Sequence, residues 1–531
     1  MARGVARRSG SPPFSAEFFS LDPSSRLALL HVLPIDLAML HVVAHCRRAI
    51  VTAALLLLLA PVGCGRVLAP LDEGNPRTDV AFQTTAHVDA SGQWPGWRGG
   101  AKAGVSSDEN VAISWSTDHG VRWKTTVPGR GNSSPVVWDE AVLITTAVER
   151  RHGSQLKLLC YDRGDGALRW QANLGLTQSA TSDKNGHASA TVATDGDAIF
   201  SYGGGLGLFC HDFDGQRRWH VTIEQIDHIW GTASSPVLHG SLVIQLCEGR
   251  SGSFIAAYDK RSGQQVWRQE RDSRGCWSTP VIVETRVGET SRTELIVNGT
   301  GADTPRGGWV IAYNPANGDE LWRLKGTTDV VCPTLIVGED RVYSTSGRNG
   351  PIIAIRPGGE GDVTGNKKWR RWHIRRGGAH VSTGVAYRRR LFTISDGGVL
   401  ACRRAETGKE VWRRRLGRNF TASLIVAGGN IYATSERGTV YVMAADDANE
   451  LLATNQMNQR TLATPAVSHG DLFLRTESRL FCIAAVGSGD DAGKDVLAEG
   501  DTADNERPSP SPSDPQDIVP TLPEATSAGD G

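Results

Sequence analysis

The chain has 531 residues, with 57 Lys plus Arg balanced by 57 Asp plus Glu, and an apolar share of 39%. That content suits a soluble globular body of two to four domains, or one large repeat array. The 61 glycines, and 15 tryptophans against 12 Phe and 8 Tyr, argue for turns and flat side chains, hence β architecture, and against a helical fold.

The charge is unevenly spread. Residues 1–66 carry Arg3, Arg7, Arg8, Arg26, Arg47, Arg48 and Arg66 against Glu17, Asp22 and Asp36. Within them AIVTAALLLLLAPVG (49–63) is an apolar run preceded by Arg47 and Arg48. It is shorter than the roughly 20 residues a spanning helix needs, and suits the apolar region of a secretory signal. The residues before Met39 do not read as signal, which makes Met39 the expected start. Cys64 follows the run directly and is the candidate for lipid attachment; cleavage near Ala69 and an uncleaved anchor are the other outcomes, and all three export the protein. Residues 67–120 form a lead-in segment that contains WPGWRGG (94–100).

From residue 121 a repeat takes over. YDRGDGALRW (161–170) returns as YDKRSGQQVW (258–267) and YNPANGDELW (313–322). Trp123, Trp170, Trp219, Trp267, Trp322, Trp369 and Trp412 stand 43 to 55 residues apart, with an eighth position near Leu452. Between them recur a small-polar piece (SSPVV, SSPVL, STPVIV, ATPAV), an apolar run, and a strand ending at an acidic turn. The Asp–x–x–x–Gly turn builds a tight hairpin, because Asp bonds its own backbone and Gly supplies φ > 0. Four short strands per unit, at this period and without helical signal, predict a β-propeller. First strands begin near residues 133, 189, 234, 278, 333, 382, 421 and 463. The chain opens on a fourth strand, VRWKTTV (121–127), and ends on a unit of three. The expectation is an all-β, eight-bladed propeller of four-stranded antiparallel blades over 121–485, its ring closed by the N-terminal strand completing the last blade. Each ladder Trp then docks on the next blade as an inter-blade structural residue. Cys160, Cys210, Cys402 and Cys482 share one repeat position with Ala257 and Ala312, which reads as a small buried apolar site.

The unit resembles the pyrroloquinoline-quinone (PQQ) type propeller repeat, over roughly residues 94–485. WPGWRGG, NGHASATVATDG (185–196) and GGEGDVTG (358–365) are similar to the exported, non-catalytic BamB-like members. The resemblance implies a binding or scaffold protein of the bacterial envelope, in the periplasm or membrane-anchored, possible roles including outer-membrane protein assembly. The alternatives are a PQQ-dependent dehydrogenase and a ligand-sensing propeller linked to signalling. The dehydrogenase reading implies PQQ with Ca²⁺ on the propeller axis, a catalytic Asp and adjacent disulfide-forming cysteines. Asp303 and Asp329 lie in loops that could reach the axis, but no Cys–Cys pair occurs and the loops are short. No catalytic residue, cofactor or metal site is therefore expected. GGGLG (203–207) reads as a hairpin, and His211, His220 and His228 are too scattered for zinc.

One stretch is not explained by packing. Residues 367–418 hold 16 Lys and Arg against Asp396, Glu406 and Glu410. Arg370, Arg371, Arg375, Arg376, Arg388, Arg389, Arg390, Arg413, Arg414 and Arg415 would sit on outer strands and turns of the fifth and sixth blades. They would make a basic sector on the rim, read either as a solvated face or as a docking surface for an anionic partner: lipid head groups, an acidic protein segment or a polysaccharide, with no nucleic acid expected for an exported monomer. Contact with the membrane is expected only through the N-terminal anchor. Residues 486–531 are rich in Asp, Glu, Ser and Pro and are expected to be disordered; on the solvated-face reading this acidic tail is the internal partner of the basic sector.

Overall fold

The computed structural model describes residues 92–100, 103–224, 230–273, 275–300, 307–328, 330–485 and 494–496. They form eight sheets, the blades of a β-propeller, each with four antiparallel strands; in two of them a short parallel strand, Lys494–Val496 or Gly361–Asp362, is added outside the fourth. Blade 1 runs Val136–Trp138, Ala141–Arg150, Gly153–Asp162 and Leu168–Thr177 from inner to outer strand. The first strands of blades 2 to 8 are Ala193–Thr194, Val237–His239, Val281–Val287, Ile336–Val337, Val385–Tyr387, Ile425–Ala427 and Ala466–Ser468. In blade 8 the fourth strand is Val121–Thr126, paired antiparallel with Arg479–Ile483. Lys494–Val496, within the tail expected to lack structure, lies parallel to that outer strand.

The inter-strand register explains the ladder. A small residue on the third strand faces each Trp on the fourth: Cys160 faces Trp170, Cys210 Trp219, Ala257 Trp267, Ala312 Trp322, Cys402 Trp412 and Cys482 Trp123. A larger side chain there would collide with the indole. Burial pushes the Cys160, Cys210 and Cys402 thiols up to about 12, so they stay protonated and serve as packing atoms.

Each indole then crosses to the following blade. Trp123, Trp170, Trp219, Trp267 and Trp412 donate through Nε1 to the carbonyls of Arg163, Phe213, Lys260, Pro315 and Asp446, at 2.7 to 3.0 Å. Those carbonyls belong to the acidic turns. In the first of them Gly166, at φ +77°, lies flat beneath the Trp123 ring.

Blade 5 departs from the prediction. Its outer strand is Arg370–Ile374, and Ala354 faces Trp372 rather than Trp369. Trp372 donates to the Ala405 carbonyl of blade 6 at 2.9 Å, so Trp372 holds the ladder position. Trp369 precedes the strand, in the turn that begins at Asn366. Counting by spacing chose the wrong one of two tryptophans three residues apart, because the extra loop 356–369 delays the strand. Blade 5 has no acidic turn in front of Trp322, whose Nε1 bonds the buried Glu294 carboxylate at 2.7 Å instead. In blade 7 the eighth position is Ala453, facing Val442, not Leu452, which is exposed.

Candidate functional site: the axial cavity and the basic rim

The small-polar pieces do not begin the first strands. They sit two to three residues before them and line the axis. Backbone N–H groups of Ser134, Thr191, Ser235, Thr279, Thr334, Thr383 and Ser423 each donate to the hydroxyl of the equivalent residue one blade on, at 2.9 to 3.0 Å. The last acceptor is Thr464. Eight hydroxyl residues, one per blade, thus form a girdle with seven links. The sequence signal was a Ser or Thr directly before Pro, as at Ser134, Ser235, Thr279 and Thr464. Proline holds the preceding residue extended and so fixes its hydroxyl toward the axis.

Between blades 8 and 1 a buried arginine bridges instead. Arg475 Nη1 donates to Ser133 Oγ at 2.7 Å and to the Thr145 carbonyl at 2.8 Å. No carboxylate accompanies it, and desolvation pulls its guanidinium down to about 10.

The lead-in segment straps one end of the axis. Trp94 exchanges two backbone hydrogen bonds with Val137 of blade 1, and the Pro95 carbonyl accepts from Thr194 of blade 2. Three residues on, Arg98 Nη2 donates to the Gly384 carbonyl of blade 6 at 2.7 Å. Ser106 N then bonds Val426 of blade 7. Between these anchors Trp97 enters the axial cavity. The motif WPGWRGG is therefore a clasp, with Trp94 and Arg98 as its buried ends.

The cavity encloses about 410 Å³. Ser134, Ser235, Thr279, Thr383, Ser423 and Thr464 are among its lining residues, and Trp97, Trp230 and Trp277 give it aromatic walls. Asp183, Lys184, Arg348 and His380 supply its charged and titratable groups. Asp183 is bound by Arg460 at 2.6 Å and Lys184 by Glu436 at 2.8 Å. Burial holds His380 below the ordinary imidazole range, offset by Asp396. None of these tryptophans belongs to the ladder, so the repeat did not single them out. Asp303, Asp329, His228 and Cys64 lie outside the described residues.

The remaining sequence candidates resolve into packing. Gly204–Leu206 makes one 3₁₀ turn between two blade-2 strands, so GGGLG is a hairpin. His211 is buried and stacked near Phe209, and His220 stacks on the same ring at 4.2 Å. Among the described residues no cluster of His, Cys, Asp and Glu is arranged to hold a metal.

The basic sector does fall on blades 5 and 6, in two electrostatic states. On blade 6 the charges are partnered: Arg389 with Glu406 at 3.1 Å, Arg390 with Asp447 at 2.7 Å and Arg413 with Glu410 at 2.6 Å. Arg414 and Arg415 donate to the carbonyls of Asn449 and Gly397. On blade 5, Arg371, Arg375 and Arg376 are exposed and Arg370 is half-buried. These four, and Arg388, make no side-chain hydrogen bond or ion pair with the described residues. Arg370 and Arg375 add to desolvation in lowering the His373 pKa.

Comparison with known proteins agrees with this architecture. The family model described as outer membrane protein assembly factor BamB matches residues 81–243, 154–362 and 359–508. The BamB of Burkholderia pseudomallei (strain K96243) is 22% identical over 364 residues, covering 66% of this chain and 83% of that protein. Among solved structures, the quinohemoprotein alcohol dehydrogenase of Comamonas testosteroni superposes with TM-score 0.57 at 13% identity, covering 78% of this chain and 83% of that one. A europium-containing methanol dehydrogenase gives 0.56 at 11%, covering 75% and 99%. Those likenesses carry the fold; the sequence match carries the kinship, and the chain belongs to the family of outer membrane protein assembly factor BamB.

Proposed function

We propose that this protein is an exported, non-catalytic binding propeller of the bacterial cell envelope, working in outer-membrane protein assembly. Lipid attachment at Cys64 or an uncleaved anchor would hold it at a membrane, and cleavage near Ala69 would release it. The rim of blades 5 and 6 docks an acidic segment of a partner protein. The observation that carries the docking reading is the asymmetry of the basic sector: on blade 6 Arg389, Arg390 and Arg413 are paired with carboxylates, while Arg371, Arg375 and Arg376 of blade 5, together with Arg388 in the first hairpin of blade 6, are exposed and make no ion pair with the described residues. Exposed arginines on a sheet edge present bidentate donors to carboxylates and steer acidic partners to the surface.

The test is capture of envelope partners by the wild-type chain and by the double variant Arg375→Glu, Arg376→Glu. Capture at low salt is expected to fall about tenfold, with the melting temperature unchanged, because exposed charges govern association more than folding. Equal capture by both proteins would end the docking reading.

A quinoprotein dehydrogenase is the second reading, favoured by the superposition on the quinohemoprotein alcohol dehydrogenase of Comamonas testosteroni. The donor set argues for the first: among the described residues the cavity offers one carboxylate, Asp183, which Arg460 already occupies, and Ca²⁺ takes six to eight oxygens. Calorimetric titration with PQQ and Ca²⁺, with dye reduction by simple alcohols, separates the two. Tight binding with turnover would establish the dehydrogenase.

A further inference from the structure

Two features meet on one face of the ring: the direction of the C-terminal segment along blade 8, and a run of arginines on the blades beside it. In a four-stranded antiparallel blade the outer strand ends on the same face as the turn between the second and third strands. Lys494–Val496 runs parallel to the blade-8 outer strand Val121–Thr126, with Lys494 opposite Trp123 and Val496 opposite Thr125. The chain therefore passes Val496 heading toward that face.

The same face of blades 5, 6 and 7 is cationic. Arg375 and Arg376 directly follow the blade-5 outer strand Arg370–Ile374, and Arg348 sits in the turn between Val342–Thr345 and Ile352–Ile355. Gly377 N donates to Asn349 Oδ1 and Gly378 N to the Gly350 carbonyl, both at 2.9 Å, which stitches the two turns into one corner. On blade 6, Arg415 ends the outer strand Glu410–Arg415 and Arg418 follows it. On blade 7, Arg437 occupies the turn between Asn430–Thr434 and Thr439–Ala444. All six arginines are exposed, and none forms an ion pair with the described residues. The carboxylates among them are engaged or withdrawn: Glu436 accepts from Lys184 at 2.8 Å and from Thr421 at 2.7 Å, and Asp396 is half-buried.

Like charges gathered on one surface repel, and an anionic segment laid across them relieves the repulsion. The sequence beyond Val496 supplies one. Residues 497–531 hold eight Asp and Glu against Arg507 alone, four of them in EGDTADNE (499–506), with Asp514 and Asp517 further on. An extended chain spans at most about 3.3–3.6 Å per residue, so Asp517 can reach about 70 Å from Val496. Four strands about 4.8 Å apart make a blade about 15 Å deep, so that reach exceeds two opposed blades with the axis between them. In the other direction round the ring, blade 1 offers Arg150 and Arg151 at the tip of its long hairpin beside Glu149, a smaller and less uniform target.

We propose that residues 499–517 of this chain dock on the arginine arc of blades 5 to 7 and shield the rim, so that an acidic partner must displace the protein's own tail. The shielding rests on the docking reading above; the contact of the tail with the arc does not. Tethering gives the tail an effective concentration of about a millimolar, enough for weak surface ion pairs to hold it at low salt.

The test follows cleavage of the Glu506–Arg507 bond by a glutamate-specific protease in the full chain, read by mass spectrometry. At low salt the wild type is expected to be cut about fivefold more slowly than the variant Arg375→Glu, Arg376→Glu, Arg418→Glu, the effect of a few coupled surface ion pairs. At about 1 M salt, where charges are screened within about 3 Å, the two should be cut at equal rates. The blade-1 variant Arg150→Glu, Arg151→Glu should behave as wild type. Equal cutting of wild type and triple variant at low salt, or faster cutting in the blade-1 variant, overturns the proposal. Partner capture by a chain ending at Val496, which keeps every described residue, separates the proposal from the docking reading. Capture should exceed that of the full chain about fivefold, and the gain should vanish in the triple variant. Arginine-dependent protection without that gain would uphold the contact of the tail with the arc and overturn the docking of the partner there.

Discussion

Buried polar side chains in this propeller divide by what meets them. Arg98 and Arg475 are fully buried without carboxylates and stand on backbone carbonyls, as clasps between distant parts of the ring. The oxygens meet a single nitrogen of each guanidinium, Arg98 Nη2 and Arg475 Nη1, while the other two nitrogens of each find no partner, so the cost of burying these charges is only partly offset. His211 has the reverse problem. It is 1% exposed, its Nδ1 lacks a partner, and burial with help from Arg217 pulls its pKa down to about 4. In the unfolded chain it titrates near 6.5. Between those values the unfolded state binds the proton and the folded state does not. The stability contributed by neutral His211 is therefore complete above about pH 6.5 and is lost progressively down to about pH 4, by roughly 3 kcal/mol in all. Denaturant unfolding of wild type and His211→Asn at pH 7 and pH 4.5 should show a smaller pH loss in the variant. Equal losses would mean that His211 is already protonated in the fold.

Within one blade, the acidic turn and the tryptophan belong to different partners. Asp162 Oδ1 accepts from Gly164 N at 2.8 Å and closes the turn locally. The turn then receives the indole of the preceding blade, Trp123, through the Arg163 carbonyl and the face of Gly166. A Cβ at Gly166 would lie 2.5 Å from Trp123 Cε3, and its φ is +77°. Gly361 has a similar φ of +62° but nothing within 4 Å of a built Cβ. Gly361→Ala should cost only the left-handed strain, about 1 kcal/mol. Gly166→Ala should cost that plus overpacking, about 2–4 kcal/mol. Thermal unfolding of the two variants measures the difference, and equal shifts would show that the indole does not bear on the turn. The same logic explains the glycine-containing repeats quoted from the sequence: the turn chemistry and the inter-blade contact make a single requirement.

Across the molecule, the join between the last blade and the first is made by unlike parts. Seven girdle links follow the chain, and the eighth place is taken by Arg475, Trp123 and the strand Val121–Thr126 beside Arg479–Ile483. A chain beginning at Val127 would lack both the strap and that strand. It should expose the Arg479–Ile483 edge and self-associate, because an unpaired strand edge templates further pairing. Sedimentation of this truncation against a chain beginning at Thr78 checks it; a monomeric, cooperatively folding truncation would show the strand to be dispensable.

The sequence by itself determined the repeat, the number of blades, the strand types and the docking role of most of the tryptophans. Each of these is local: a turn, an alternation or a small residue opposite an indole recurs within one period. It misjudged blade 5, where Trp369 and Trp372 both fit the spacing and only the register with Ala354 separates them. It placed the basic arginines on blades 5 and 6 but could not tell the partnered from the unpartnered. Partners such as Asp447 for Arg390 lie 57 residues away and meet it only across a blade boundary. The axial cavity was not legible at all. Its hydroxyls come one per blade, and its tryptophans come from loops and the lead-in segment. Residues hundreds of positions apart share one axis only after the ring has formed, so tertiary structure alone decided where a ligand could sit.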